Sequence, residues 1–344
     1  MKIGYRALAC ALAVASLPFL LAAAAAAQTV QGPKVAWNLS LWGKARAFTK
    51  QSDILSEMVA ERTGGNFTLK VHYGGALSPP KENIDGIKIG AFETAMVAYA
   101  YAPGKTPALM VLNLPFLPLA DMDKQIAVQQ KVYAHPAIRA ELGRWGAQDL
   151  IFVGSPPYEF MGTGEAPTRL DGWKGKRVRA LGGVGKAMGR LGAVPTSVPA
   201  PELYASMERG LADAAMLPWS SLNSYRLHEV SKWYTTNMAA GIVNAAVLVN
   251  REALAALPPQ YRKLLADIRG EVERKHMDAQ TPRSNAARAA FDGRGLTPVA
   301  YSDAQLKDLI DNAARPVWDA WAKEREADGI PGAELVDLVL QAAK

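Results

Sequence analysis

The sequence has almost no cysteine. Among 344 residues only Cys10 carries a thiol, and it lies in an N-terminal stretch that reads as a removable leader. The chain beyond that stretch has no disulfide, no thiol nucleophile and no thiolate ligand for a metal. Histidine is nearly as scarce. His72, His135, His228 and His276 are scattered, and none falls in an H-x-x-x-H or H-E-x-x-H spacing. No metal site is expected from them, and each reads as a surface or capping residue. There is no Lys/Arg block of the kind that tracks a nucleic-acid backbone, so no nucleic-acid partner is expected. No G-x-S-x-G elbow marks Ser155, Ser220 or Ser221 as a nucleophile. No second apolar run reaches membrane-spanning length, and no internal repeat is visible.

The leader itself is clear. Lys2 and Arg6 precede an uncharged run from Ala7 to about Ala27, which ends in the small residues of "LAAAAAAQTV". This layout fits a secretory signal peptide over 1–27, cut near Ala27–Gln28. An uncleaved anchor helix is the other reading, because the run is long enough to span a bilayer. "ALAC" at 7–10 suggests lipidation, but a cut there would leave too short an apolar run ahead of it. Setting aside Lys2 and Arg6, 37 basic and 32 acidic residues remain, a net charge of about +5. That mild excess suits a small anionic ligand. An exported chain of this length can bury an ordinary core without disulfides, and its length suggests two domains.

Periodicity sets the fold class. "KVAWNLSLWG" alternates apolar and polar residues as a strand does. "ARAFTKQSDILSEMVAERTGG" places Phe48, Ile54, Leu55, Met58 and Val59 at helical spacing and stops at a glycine pair. "NFTLKVHYGG" is a second strand, "SPPKENIDGIKIGAFE" a short helix, and "TAMVAYAY" a buried third strand. This alternation predicts a mostly parallel α/β sheet. A helix broken at Pro136 and the strand "DLIFVG" follow. The Pro/Gly-rich turn "SPPYEFMGTG" then reads as the crossing into a second domain. There, "GKRVRALG", "VPTSVP", "DAAML" and "LTPVAY" are strands. "PPQYRKLLADIRGEVERKHMDAQTPRSNAARAAF" is one long helix with few breaks before Pro282, able to bridge both domains. The last 40 residues are helical.

"RVRALGGVGKAMGRLGAVP", from Arg177, raises the question of a dinucleotide loop. Gly183, Gly185 and Gly189 give G-x-G-x-x-x-G between a strand and a helix. A Rossmann fingerprint needs its third glycine one residue earlier, and an acid at the end of a second long strand about 20 residues on. Glu202 is at that distance but follows Pro199 and Pro201, in the first turn of a helix. The glycines therefore read as a turn that lets a strand and helix pack closely. No cofactor is expected.

The segment "DGWKGKRVRALGGVGKAMGRLGAVPTSVPAPELYASMERGLADAAMLPWSS" resembles the extracytoplasmic solute-binding proteins of tripartite ATP-independent periplasmic (TRAP) transporters, the dicarboxylate-binding, DctP-like type. The likeness is carried by Lys174–Gly175, Arg177-Val178-Arg179, Leu191-Gly192-Ala193, Pro195, Glu202-Leu203-Tyr204, Gly210 and Asp213. "ERTGGNFTLKVHYGGALSPPKENIDGIKIGAFETAMV", "VLNLPFL" and "NREALAALPPQYRKLL" extend it over nearly the whole mature chain. The resemblance implies a type II-like, two-lobed α/β periplasmic binding protein with a long helix bridging the lobes. Residues 28–154 with about 245–280 would form one lobe, and 155–244 with about 281–344 the other. It implies a periplasmic monomer that captures an organic acid without reacting it and hands it to TRAP membrane permease subunits. An exported sensor without a permease, or an exported enzyme acting on an organic acid, are the alternatives.

The resemblance puts Arg179 at the carboxylate-binding position. A guanidinium fork holds a carboxylate by two parallel charge-assisted hydrogen bonds, which a lysine cannot copy. Arg177, two residues away on the strand, should face the other way. The sequence departs from the family after Asp213, where "AAMLPWSS" puts Met216 or Leu217 in the place of a common polar partner. A histidine often found further on is replaced by "NMAAG". Both changes favour a monocarboxylate with an apolar or aromatic body over a small dicarboxylate. Trp219 is then the expected wall residue, with Ser220 beside it. Ligands in open α/β sheets collect at strand carboxyl ends, which adds Trp42, Tyr99, Tyr101, Tyr158 and Phe160 as candidates, each of which equally fits core packing. Glu82 matches a family acid that could orient a cleft group, and equally fits a solvated helix residue.

Overall fold

The computed structural model describes residues 29–344; the expected leader and Cys10 lie outside the described residues. The chain runs β1 Val35–Ser40, α1 Lys50–Arg62, β2 Phe67–His72, α2 Asn83–Lys88, β3 Thr94–Ala98, α3 Met122–Ala134, α4 Pro136–Arg144 and β4 Ala147–Phe152. It continues with β5 Glu159–Gly162, β6 Arg177–Arg179, α5 Gly182–Arg190, β7 Val194–Thr196, α6 Leu203–Glu208, β8 Ala214–Leu217, α7 Trp219–Ser224 and β9 Trp233–Thr235. Last come β10 Ala245–Asn250, α8 Arg251–Ala256, α9 Pro259–Gly293, β11 Thr297–Val299, α10 Asp303–Leu309, α11 Arg315–Ala327 and α12 Gly332–Ala342. Among the described residues no helix is long and apolar enough to cross a membrane.

Two sheets organise two lobes. The first has the order β2-β1-β3-β10-β4 and the second β11-β9-β5-β8-β6-β7. The opening β-α-β unit forms as its pattern predicts. β1 pairs parallel with β2 and β3, and α1 buries Ile54, Leu55, Met58 and Val59 against them. Both sheets are mixed. β10 lies antiparallel between β3 and β4, and β5 antiparallel between β8 and β9. β5 follows the first passage between sheets and β10 the second, each running against its neighbours; β11, after the third passage, pairs parallel with β9.

Two strands depart from the expectation. The stretch around Glu159 reads as a Pro/Gly turn, yet Glu159–Gly162 is a fully buried strand; its prolines stop at Pro157, just short of it. β9, only three residues of "WYT", is too short to show alternation. Its Trp233 stacks edge-on against Trp173 at 5.7 Å, and Trp173 meets Phe160 at 4.9 Å. Such aromatic pairs contribute about 0.5–1.5 kcal/mol beyond their burial, and they seal the core of the second sheet.

α9 runs unbroken through Pro282. It packs on α1 and β4 of the first lobe and on α7 of the second, so it spans both. α12 lies against α3 and the 3-10 segment Leu109–Asn113, while α11 packs on α5. The C-terminal helices therefore touch both lobes as well. His276 corrects the surface reading of the histidines. It is fully buried on α9, bonded through Nε2 to the Gly154 carbonyl at 3.0 Å. His135 does cap a helix, its Nδ1 accepting from the Ala137 N–H at 3.2 Å.

Candidate functional site

The glycine run answers its own question. α5 begins at Gly182, with Leu181 before it and no side-chain cap. A Cβ on Gly183 would stand 2.6 Å from Pro115 Cδ and 2.8 Å from the Asn113 carbonyl; one on Gly185 would stand 2.6 Å from the Ala180 carbonyl. The glycines let α5 close against residues 113–115 of the other lobe. Close packing accounts for Gly183, against the other lobe, and for Gly185, against the Ala180 carbonyl of its own lobe.

β6 decides where charge goes. Arg177 points outward and pairs with Asp213, with Nη2 2.6 Å from Oδ1. Arg179, two residues on, is turned inward and only 1% exposed. Its Nε donates to the Val198 carbonyl at 2.9 Å and its Nη1 to the Met216 carbonyl at 3.2 Å. These bonds fix the guanidinium plane and leave Nη2 and the second Nη1 hydrogen unspent. No carboxylate among the described residues pairs with Arg179, although burying a charge without a partner costs several kcal/mol.

Arg179 faces a cavity between the two lobes. The first lobe supplies Trp42, Arg46, Phe48, Tyr101 and Asn113; the second supplies Tyr158, Arg179, Leu181, Leu217, Ser221 and Tyr225, with Asn244 from the returning crossing segment. The walls thus hold two guanidinium groups, three phenols, two carboxamides and apolar or aromatic surface, with no acid among them. Burial pushes the Tyr158 and Tyr225 phenols up, Tyr225 to about 12, although Arg179 and Arg46 pull the other way. Both stay protonated at neutral pH and can donate hydrogen bonds. The Asn244 amide nitrogen holds the Leu109 carbonyl at 2.8 Å and Asn113 Oδ1 at 2.7 Å, while its own Oδ1 is buried without a partner.

In this arrangement the cavity measures about 30 Å³, room for about two waters. An organic acid fits only if the lobes or the side chains move apart. A larger groove of about 680 Å³ lies beside it, between residues 100–114, α5 and α11. Its cations are already neutralised. Arg325 pairs with Asp328 at 3.0 Å and Lys186 with Glu324 at 3.7 Å. The unpaired charge is in the small cavity, and charge decides for an anionic ligand.

Four of the residues singled out from sequence meet there: Arg179, Trp42, Tyr101 and Tyr158. The Tyr101 hydroxyl also accepts from the Ala200 N–H at 3.2 Å, across the lobes. Five do not reach the cavity wall. Tyr99 is buried the other way, with its hydroxyl 2.7 Å from that of Tyr133. Phe160 packs in the second core. Trp219 donates Nε1 to the Thr235 carbonyl at 3.2 Å, under the Arg288 guanidinium. Ser220 is buried outside the cavity lining, and its neighbour Ser221 stands in it instead. Glu82 is exposed at the start of α2. The sequence reading missed Arg46, Phe48, Asn113, Ser221, Tyr225 and Asn244. Arg46 and Phe48 follow the carboxyl end of β1 and were open to the same strand-end argument as Trp42. The others sit in connecting segments and a short helix with no periodic signal. Among the described residues no three His, Cys, Asp or Glu side chains converge to hold a metal.

Residues 41–324 match the bacterial extracellular solute-binding proteins of family 7, DctP. The chain belongs to the DctP family. The likeness to TRAP receptors carried by the motifs therefore holds at family level. Among DctP relatives, a monocarboxylate 2-oxoacid-binding periplasmic protein of Nostoc sp. is 25% identical over 315 residues, 86% of this chain and 81% of its own. A marine metagenome TRAP solute-binding protein described as specific for aromatic acid ligands, solved with metahydroxyphenylacetate, superposes with a TM-score of 0.81 at 20% identity, covering 90% of this chain and 98% of its own. A TRAP solute-binding protein of Rhodoferax ferrireducens, solved with copurified benzoate, gives 0.79 at 21% identity, covering 90% and 98%. At these identities the structures establish the two-lobed fold.

Proposed function

We propose that this DctP-family protein is a periplasmic receptor that binds an organic monocarboxylate with an apolar or aromatic body, and that it delivers this acid to TRAP permease subunits. The observation that carries the reading is the buried Arg179 guanidinium, held by two backbone carbonyls, facing an acid-free cavity between the lobes. The free Nη edge suits the two oxygens of a carboxylate. Trp42, Phe48, Leu181 and Leu217 suit the apolar body. The relatives named above, a 2-oxoacid binder and two aromatic-acid complexes, support the same ligand class.

In this reading the lobes, 28–154 with 245–280 and 155–244 with 281–344, open to admit the acid and close over it by hinge motion. Closure brings Trp42 and Tyr101 of one lobe onto the ligand that Arg179 holds from the other. The protein binds and releases, with no reaction. It acts as a monomer, exported by the 1–27 leader. The test is a thermal-shift screen of the mature protein against mono- and dicarboxylates, aromatic and aliphatic. A ligand that binds only the folded state stabilises it by about 2.7 kcal/mol at a hundredfold excess over Kd. A shift with apolar monocarboxylates supports the reading, and a response confined to uncharged solutes defeats it. Two membrane-protein genes beside this one would favour delivery to a permease over sensing.

A further inference from the structure

The cavity holds a second cation that the carboxylate reading does not use. Arg46 comes from the segment after β1, in the first lobe, opposite Arg179. Its backbone is pinned: the Arg46 N–H donates to Thr49 Oγ1 at 3.0 Å, and that hydroxyl donates back to the Arg46 carbonyl at 3.0 Å. Its guanidinium lies 5.3 Å from the Phe48 ring centre and 5.2 Å from that of Tyr225, which belongs to the other lobe. Nη1 donates to the carbonyls of Lys44 at 2.9 Å and Trp42 at 3.3 Å. Nε is buried with no partner, and Nη2 makes no hydrogen bond among the described residues. The Tyr225 hydroxyl beside it is likewise buried and unpartnered. Gly43, at φ +71, keeps this corner open: a Cβ there would stand 2.7 Å from Arg46 Nη1 and 2.9 Å from the Tyr225 hydroxyl.

These features make Arg46 an aimed donor more than a general counter-charge. The two aromatic faces and two carbonyls already stabilise the cation in part, so a second full negative charge is not required. What remains unsatisfied is the Nε–Nη2 edge and one phenol, and a buried donor left without an acceptor is destabilising. A ligand oxygen in this corner would offer these donors an acceptor, between Arg46 of the first lobe and Tyr225 of the second.

We infer that Arg46, with Tyr225, is a specificity-determining residue that selects organic acids carrying a second oxygen acceptor, a hydroxyl or oxo group, at the end away from the carboxylate on Arg179. The inference rests on the proposed receptor function and sharpens its ligand class. The test measures affinities by titration calorimetry for matched acids: benzoate against 3- and 4-hydroxybenzoate, butanoate against 4-hydroxybutanoate, and pentanoate against 4-oxopentanoate. In the unaltered mature protein at least one oxygenated acid should bind tenfold or more tighter than its parent. In Arg46→Met that ratio should fall below about threefold. Tyr225→Phe keeps the ring under Arg46 and should lower the ratio part of the way. The ratio is the readout because lost charge, or a partly disturbed lobe, weakens both members of a pair alike. A ratio that survives Arg46→Met, or no preference in the unaltered protein, overturns the inference and leaves the carboxylate reading standing. Binding of none of these acids by the unaltered protein defeats the receptor reading, and this inference with it.

Discussion

Replacing Arg179 with methionine should abolish tight binding without unfolding the protein. The side chain is 1% exposed and makes two hydrogen bonds to backbone carbonyls, so a ligand carboxylate meets a group already fixed in direction. Two charge-assisted hydrogen bonds contribute about 1.5–3 kcal/mol each. Losing both costs about 3–6 kcal/mol, and each 1.36 kcal/mol is tenfold in Kd. The expected loss of affinity is at least about 100-fold. Arg179→Lys keeps the charge but not the fork, and should cost about 10- to 100-fold. In the unliganded protein two effects oppose. The Val198 and Met216 carbonyls lose their donor, which destabilises, while a buried unpaired cation disappears, which stabilises. A net change of about 1 kcal/mol would move Tm by roughly 2–4 °C. Calorimetric titration, with a melting curve of each unliganded variant, measures both. Binding within tenfold of the unaltered protein by a folded Arg179→Met variant would refute the carboxylate clamp.

Three further outcomes follow from other parts of the fold. Burial on α9 pulls the His276 imidazole down to about 4. The unfolded chain therefore takes up the proton first, and stability should fall as pH drops from about 6.5 to 4, by roughly 3 kcal/mol in all; an unchanged pH slope of denaturant unfolding in His276→Gln would contradict this. Gly183→Ala drives a methyl into Pro115 and the Asn113 carbonyl, neither of which can swing aside, and should destabilise by about 1–3 kcal/mol in chemical denaturation. Tyr158→Phe removes a cavity donor while keeping the ring, and should weaken acid binding by about 1 kcal/mol, with an unchanged Kd counting against a ligand contact.

Much of the fold was legible because its elements are long or strongly periodic. α1 and β1 carry their own patterns, and the break at Pro136 reads directly as the junction of α3 and α4. The orientation of β10 was not legible. "AAVLVN" is buried on both faces, and a run without alternation looks the same parallel or antiparallel. β5 and β9 were hidden by nearby prolines and by length. In the site, the family resemblance pointed to Arg179, and strand ends pointed to Tyr158, Tyr101 and Trp42, because a strand end fixes where a side chain can go. The strand-end argument also sent Tyr99 to the cleft, and the departure from the family pattern sent Trp219 there, but both spend their polar atoms elsewhere. Tyr225 and Asn244 enter the cavity only because two lobes meet, and that meeting leaves no trace in local spacing.

The most direct test of the central claim compares benzoate with benzamide. The two differ in charge and little in shape, so their difference isolates the carboxylate. The mature protein is unfolded and refolded to strip any carried-over ligand, then titrated with each by calorimetry. The account predicts saturable one-to-one binding of benzoate, at least about 100-fold tighter than benzamide, with the difference lost in Arg179→Met. Equal affinity for the two, or a preference untouched by that substitution, would contradict it.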